Sequence, residues 1–367
     1  MDNRPVLSGK TPGGLERLLG DLVPDLPAFR SKQIFQWLSR GIDSFDAMTN
    51  LPKALRETLD ERVRLFSTTV SDRLEDPDGT LKLQIGLDDG SRIEAVLLVD
   101  GEGRRTACIS TQAGCPVGCA FCKTGSLGFL RNLRSNEIVE QFLHLQNQYS
   151  PISNIVVMGM GEPLLNLDAL CEALDVLCAP EGLGLSKRRI TLSTSGIISG
   201  LESIMERGLP VRLALSLTTA DPELRERLMP ISTSNPLPRL KDCLLRYQAL
   251  FGKRITLEAV MLGGLNTRAV DAHKMIDFAK GLDVLVNLIP WNPVEGLCCN
   301  GLPLKVPSHR ELAQFEALLE KGGLQVQKRI HKGRSVNGAC GQLGSLDALG
   351  GVPPGEETKT GKSMLDP

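Results

Sequence analysis

The chain has 367 residues, 41% of them hydrophobic, and no apolar run approaching bilayer-spanning length, which excludes a helical membrane protein and allows one large core with a smaller satellite domain. Its 42 Lys plus Arg against 43 Asp plus Glu leave a net charge of -1, so no global field draws nucleic acid and any polyanionic partner has to meet local basic clusters. Ten cysteines in a chain this long, which opens on MDNRPVLSGK without the charged head and apolar middle of a signal peptide, exclude a small secreted disulfide scaffold and point to a reduced, cytoplasmic protein.

Residues 12–64 carry helical periodicity in GGLERLLGDL, FRSKQIFQWL and LPKALRETLDERV, broken by Pro and Gly, and predict a small helical domain over residues 1–66. Between 67 and 100 the period falls to two, in TVSDRL, TLKLQIGL and SRIEAVLLV, with PDG and DDG as turns; a β-hairpin linker is expected there. From 101 to 343 strands expected at TACIST, NIVVMG, RRITLST, VRLALSL, ITLEAVML, VLVNLIP and LQVQKRI are mostly separated by helical stretches. That alternation predicts an α/β fold of parallel strands with right-handed crossovers, a complete or partial barrel. Residues 344–367 are low in apolar content and are expected to fray.

The chemistry concentrates in GCPVGCAFCKTG, residues 114–125, which spaces Cys115, Cys119 and Cys122 four and three apart. Three thiolates suit an iron-sulfur cube whose fourth iron stays open, whereas a structural zinc site closes with four ligands. The alternative is zinc completed by a distant His331 or Cys340. An open iron can chelate the amino and carboxylate groups of S-adenosylmethionine (SAM), and an electron passed to the sulfonium then releases a 5′-deoxyadenosyl radical. On the predicted strand order this loop, GMGEP, STSG, SLT and WNP all fall at the C-terminal rim, where parallel α/β folds bind ligands. Backbone near Gly161 with Glu162, Ser193, Ser216 and Asn292 can serve a polar ligand there, although each also suits a turn or cap. Cys171, Cys178 and Cys243 sit at helical spacing among apolar residues and read as packing, while Cys298 and Cys299 receive no role. Basic clusters at 103–105, 129–134, 186–189 (SKRR) and 327–334 are individually ordinary solvated faces.

The C-x3-C-x2-C loop with Phe121 before its last cysteine resembles the radical SAM superfamily. More narrowly, ACISTQAGCPVGCAFCKTGSLGFLRNL, MGMGEPLLN, RRITLSTSG, LALSLTTADPELRERLMPI, VNLIPWNP and ACGQL, in order from about residue 90 to 343, resemble the RlmN/Cfr family of radical SAM RNA adenine methyltransferases. The resemblance implies a partial (β/α)6 barrel, a 4Fe-4S cluster on Cys115, Cys119 and Cys122, and SAM contacts from Gly161, Glu162, Ser193, Ser216, Leu217, Thr218 and Asn292. It further implies that Cys340 is the residue methylated during turnover, Cys108 its redox partner through a transient disulfide, and Glu94 the proton acceptor. The implied substrates are 23S rRNA, at C2 of an adenosine near the peptidyl transferase centre, and tRNA, at the adenosine just 3′ to the anticodon. Two SAM per turnover, an external flavodoxin- or ferredoxin-type reductant, no membrane and a monomer complete the expectation. Two alternatives are a Cfr-like enzyme acting at C8 of the same ribosomal adenosine, and a zinc-stabilised, non-catalytic RNA-binding module; radical chemistry on a small molecule or protein is a third.

Overall fold

The computed structural model describes residues 2–24, 26–328, 332–333 and 335–344, so His331 and the expected tail beyond Gly344 lie outside the described residues. Helices α1 (Pro12–Leu22), α2 (Ala28–Ser39) and α3 (Lys53–Arg62) follow the three predicted periodic stretches. Thr11 starts α1: its hydroxyl accepts from the Gly14 amide at 3.2 Å, and Pro12 occupies a first turn where no amide partner is needed. Leu15, Leu19, Ile34, Phe35 and Leu38 turn the inner faces of α1 and α2 into the core.

The chain then forms β1 (Thr69–Glu75), β2 (Leu81–Gly86), β3 (Arg92–Val99) and β4 (Arg105–Cys108). The cysteine loop lies between the short strands β5 (Gln112–Gly114) and β6 (Phe129–Asn132) and carries the single turn α4 (Lys123–Ser126). Beyond it run α5 (Ser135–Gln148), β7 (Asn154–Val157), α6 (Leu167–Cys178), β8 (Ile190–Thr194), α7 (Ile198–Glu206), β9 (Arg212–Ser216), α8 (Pro222–Leu228), α9 (Leu237–Phe251), β10 (Ile255–Met261), α10 (Ala269–Ala279) and β11 (Val284–Pro290). A two-residue ribbon, β12 (Cys298–Cys299) with β13 (Leu302–Pro303), precedes α11 (His309–Lys321) and β14 (Gln325–Lys328). Cys243 is buried on α9, and Cys171 and Cys178 on α6 pack half-buried against the core.

One sheet of ten strands runs β1-β2-β3-β4-β7-β8-β9-β10-β11-β14. From β4 onward neighbours are parallel, which makes the partial barrel; β1, β2 and β3 extend it antiparallel, so the expected hairpins continue the barrel sheet. The edge strand β1, TVSDRLE, is exposed throughout and carries Asp72 and Arg73, charges that blunt an open edge. In β8, β9 and β10 the apolar residues Leu192, Leu213, Leu215 and Leu257 are buried, while Ser193, Ser216 and Thr256 alternate with them and stay partly accessible. The period-two pattern thus gives the barrel a polar inner face.

Glu140 of α5 ties the N-terminal segment to the barrel. Its buried carboxylate accepts from the Thr68 amide at 2.8 Å, the Asn136 amide group at 3.0 Å, the Ser67 amide at 3.1 Å and the Ser8 hydroxyl. Burial pushes this carboxyl up and the donors pull it back. One turn along α5, His144 bonds to the Thr68 hydroxyl at 2.9 Å and stacks obliquely on Phe66, with ring centroids 5.3 Å apart. Burial lowers its pKa from 6.5 to about 4. A depressed histidine is neutral in the native protein and protonated in the unfolded chain between those values, so its stabilisation is lost as pH falls through that window. Denaturant unfolding is expected to lose about 1 kcal/mol between about pH 7 and about pH 5.5 through this group, a component that His144→Gln removes.

Candidate active site

The cysteine loop folds back on itself at the barrel rim. Glycine is required at Gly114, with φ +74°, because a Cβ there would meet the Gly128 carbonyl oxygen at 2.0 Å. The Cys115 amide donates to that same carbonyl at 2.8 Å, and the Ala120 amide reaches the Leu228 carbonyl at the end of α8 at 2.9 Å. Cys115, Cys119 and Cys122 then line one cleft of about 1020 Å³ together with Gly161, Glu162, Ser193, Ser216, Asn292 and Cys340. Cleft residues come from the C-terminal ends of β7, β8, β9, β10 and β11, which is the predicted rim.

Burial pushes the thiol of Cys115 up to about 12, and it raises Cys119 and Cys122 as well. Mutual repulsion adds to this: Cys115 and Cys119 feel Cys122, and Cys122 feels Cys340. Left alone these thiols resist ionisation; a cationic cluster that takes them as thiolates supplies the missing counter-charge. Among the described residues no three His, Cys, Asp or Glu side chains are gathered to hold a single metal ion. The thiols instead share one open cleft with the polar side chains of Glu162, Ser193, Ser216 and Asn292, a lining that suits a multi-iron cube beside a polar ligand.

Glu162 is fixed rather than free. Its carboxylate accepts from the Ser195 amide at 2.7 Å, the Ser195 hydroxyl at 2.8 Å and the Leu164 amide at 3.1 Å, while its own amide donates to Gln112 Oε1 at 2.8 Å. Burial raises its pKa and the Ser195 donors lower it. Gly161 before it has φ +102°, and a Cβ there would stand 2.8 Å from the Gln112 nitrogen, so the strand-to-loop turn needs glycine. The Ser193 hydroxyl lies 3.2 Å from that of Ser216 and donates to Glu258 at 3.0 Å. Leu217 and Thr218 are buried and do not line the cleft. Thr218 nonetheless holds a left-handed φ of 58°, with its buried hydroxyl lacking a hydrogen-bond partner.

Cys340 borders two cavities. On one side is the cleft of Cys115, Cys119 and Cys122; on the other is a pocket of about 500 Å³ that it lines together with Cys108 and Lys332. Cys108 lies opposite Val96 on β3 and Val156 on β7, at the end of the antiparallel-to-parallel transition. The loop bearing Cys340 is pinned from several elements: Asn292 donates to the Cys340 carbonyl at 3.0 Å, the Lys123 amide to the Gly341 carbonyl at 2.8 Å, and the Thr124 hydroxyl to the Leu343 carbonyl at 2.7 Å. At its other end, Asp76 accepts from the Ser335 amide at 2.9 Å and Asp78 from the Gly333 amide at 3.0 Å, both from the turn between β1 and β2.

Glu94 is brought to this loop but to neither cavity. It is buried on β3, paired with Lys82 at 3.2 Å, and accepts from the Gly344 amide at 2.7 Å. Sequence reasoning missed Arg225. This fully buried guanidinium of α8 donates to the carbonyls of Ser195 at 2.6 Å, Ser216 at 3.1 Å and Leu217. Burial lowers its pKa to about 10 and the nearby Cys119 raises it. Ser195, Gln112 and Glu258 were also missed; their roles come from long-range contacts that no local spacing encodes.

The protein families described as Radical SAM superfamily and Ribosomal RNA large subunit methyltransferase N-terminal domain match residues 109–276 and 15–65. The "Probable dual-specificity RNA methyltransferase RlmN" of Treponema denticola is 52% identical over 320 residues, 87% of this chain and 91% of its own. That of Treponema pallidum is 49% identical over 316 residues, 86% of this chain and 92% of its own. The chain belongs to the RlmN family of radical SAM RNA methyltransferases. The crystal structure of a radical SAM methyltransferase from Sphaerobacter thermophilus superposes with a TM-score of 0.86 at 35% identity, covering 92% of this chain and 99% of that one. Family membership brings a 4Fe-4S cluster and SAM, and the three-thiol cleft fits both. It overturns the zinc-stabilised, non-catalytic module, because the match to an enzyme superfamily, residues 109–276, runs through the cysteine trio.

Replacing Arg225 by Met takes this donor from three carbonyls, of which that of Leu217 keeps another, the Thr219 amide at 2.6 Å, and is expected to cost about 3 kcal/mol. Denaturant unfolding reads that loss, and iron analysis after anaerobic reconstitution is expected to fall below about four irons per chain; Arg225→Lys is expected to recover part of both.

Proposed function

We propose that this enzyme methylates C2 of an adenosine in 23S rRNA near the peptidyl transferase centre, and of the tRNA adenosine just 3′ to the anticodon, through an S-methylated Cys340. The supporting observation is that Cys340 separates the cleft of Cys115, Cys119 and Cys122 from the pocket of Cys108. Bound in that cleft, cluster and SAM supply a methyl group and, from a second SAM, a hydrogen-abstracting radical. Cys115, Cys119 and Cys122 would hold the cluster; Glu162, Ser193, Ser216 and Asn292, with backbone at Gly161, would hold SAM, whereas Leu217 and Thr218 stand behind the cleft wall with their backbone groups already bonded.

Adenine C2 lies between two electron-withdrawing nitrogens and does not attack a sulfonium, so the chain carries the carbon itself. The Cys340 thiolate displaces the methyl from sulfur, its proton going to solvent. Stripped of one hydrogen atom, the Cys340 methyl adds to the ring, and the adduct gives up the ring proton and one electron, which the cluster held by Cys115, Cys119 and Cys122 would take back. Cys108 thiolate, which shares a pocket with Cys340, is better situated for that proton than Glu94, whose carboxylate is held by Lys82 and Gly344. Cys108, carrying that proton, then attacks the Cys340 sulfur: a sulfur–sulfur bond forms, the sulfur–carbon bond breaks with its electron pair on carbon, the proton passes to that carbon to complete the methyl, and the methylated base leaves a disulfide for external reduction. Residues 1–66 serve as an RNA-contacting domain, residues 67–100 link it to the core of 101–343, and the enzyme works as a cytoplasmic monomer with a flavodoxin- or ferredoxin-type donor.

With labelled SAM, reductant and RNA, Cys340→Ala is expected to lose label from protein and RNA alike, and Cys108→Ala to accumulate a covalent protein–RNA adduct. Full RNA labelling by Cys340→Ala would refute the carrier. Mass mapping of the product nucleoside decides C2 against C8.

A further inference from the structure

The sequence cluster SKRR, residues 186–189, has no part in the chemistry above, yet it delivers Arg188 to a concave wall. At the N-terminal ends of β8, β9 and β10, a depression of about 940 Å³ is lined by Arg188, Arg212, Lys253 and Arg254 with the hydroxyls of Thr191 and Thr256, and no carboxylate lines it. Arg254 has a counter-charge, Asp283 at 2.9 Å. Among the described residues Arg188 and Arg212 make no ion pair, and both guanidiniums are exposed. Lys253 donates to the Pro210 carbonyl; burial first, then Arg188 and Arg212, hold its pKa down. Like charges held on one concave wall repel, and an oxyanion among them relieves that repulsion.

This wall shares a face with the chemistry. Cys108 is paired across the sheet with Val156, Val156 with Thr191, and Thr191 with Arg212, and directly paired residues point to the same side. Three strand spacings of about 4.8 Å separate the Cys108 and Arg212 backbones, about 14 Å along the sheet. That is the run of about four stacked nucleotides at ~3.4 Å each.

We propose that Arg188, Arg212 and Lys253 form a backbone-phosphate site that grips the substrate RNA a few nucleotides from the adenosine presented to Cys340. The site rests on the RNA substrate proposed above and gives the strand a direction across the barrel face. A phosphoryl oxyanion is the ligand; RNA is the assigned source and free phosphate the competing one.

The test is the double variant Arg188→Gln, Arg212→Gln, both positions being exposed, in the reconstituted full-length enzyme. Binding to an RNA hairpin carrying the target adenosine is measured by anisotropy across a salt series, without turnover. Two lost phosphate contacts are expected to weaken binding on the order of tenfold and reduce the salt slope by about 1.4, at ~0.7 per single-strand phosphate. In turnover KM rises, while kcat and RNA-independent S-methylation of Cys340 stay unchanged. Unchanged affinity and slope overturn the site. Inorganic phosphate bound calorimetrically by wild type and lost in the variant, with RNA affinity unchanged, overturns the RNA assignment. A wild-type enzyme that binds the hairpin but methylates nothing overturns the proposed function and leaves the phosphate site standing on its own measurement.

Discussion

Everything at this site depends on holding one thiol-bearing loop against three separate parts of the fold. A loop without regular secondary structure has no internal ladder to fix it, so its backbone groups have to be satisfied from outside. Here the cysteine loop, the rim beyond β11 and the β1–β2 turn each provide donors or acceptors, through Lys123 and Thr124, Asn292, and Asp76 and Asp78 respectively. The result is a Cys340 that forms a partition rather than a flexible tether. Glu94 and Lys82 close the same bracket at Gly344, a buried ion pair spent on a backbone amide.

The barrel contributes a gradient of chemistry along its inner face. Toward the rim, burial makes thiols and the Glu162 carboxyl reluctant to ionise, and fixed donors such as Ser195 compensate locally. Arg225 links these layers, since one guanidinium ties β8 to β9 while standing near Cys119. At the opposite end the same strands begin beside exposed cations, of which Arg188 and Arg212 make no ion pair among the described residues. Low dielectric governs one end and solvent-exposed charge the other, from the period-two alternation of the same three strands.

How much of this could be read from the chain depended on whether the signal was local. Period-two and helical patterns located α1 to α3, β1 to β3 and the parallel strands, because each element buries one face and its alternation records that. The cysteine trio was legible for the same reason, since its ligands are close neighbours. Cys108 and Cys340 were legible only through family resemblance, for 232 positions separate them and no periodicity spans such a gap. Arg225 sits in an ordinary amphipathic turn, and its burial follows from where α8 lands. The pattern TACIST overstates the strand by three residues: β4 ends at Cys108, after which Ser110 turns its hydroxyl to the Glu94 carbonyl at 2.7 Å and leaves the ladder. The short β5–β6 ribbon was not anticipated, because Gly and Pro around it read as loop.

The bond from the β1–β2 turn to Ser335 joins positions 259 residues apart. A polypeptide leaving the ribosome exposes its earlier part first, so the hairpin, the cysteine trio and the parallel strands are all available to fold before the segment around Cys340 has been synthesised. Until that segment arrives, the cleft lacks the wall that Cys340, Gly341 and Leu343 provide. Order of synthesis thus makes Cys340 a late arrival at a chamber whose other walls belong to earlier parts of the chain.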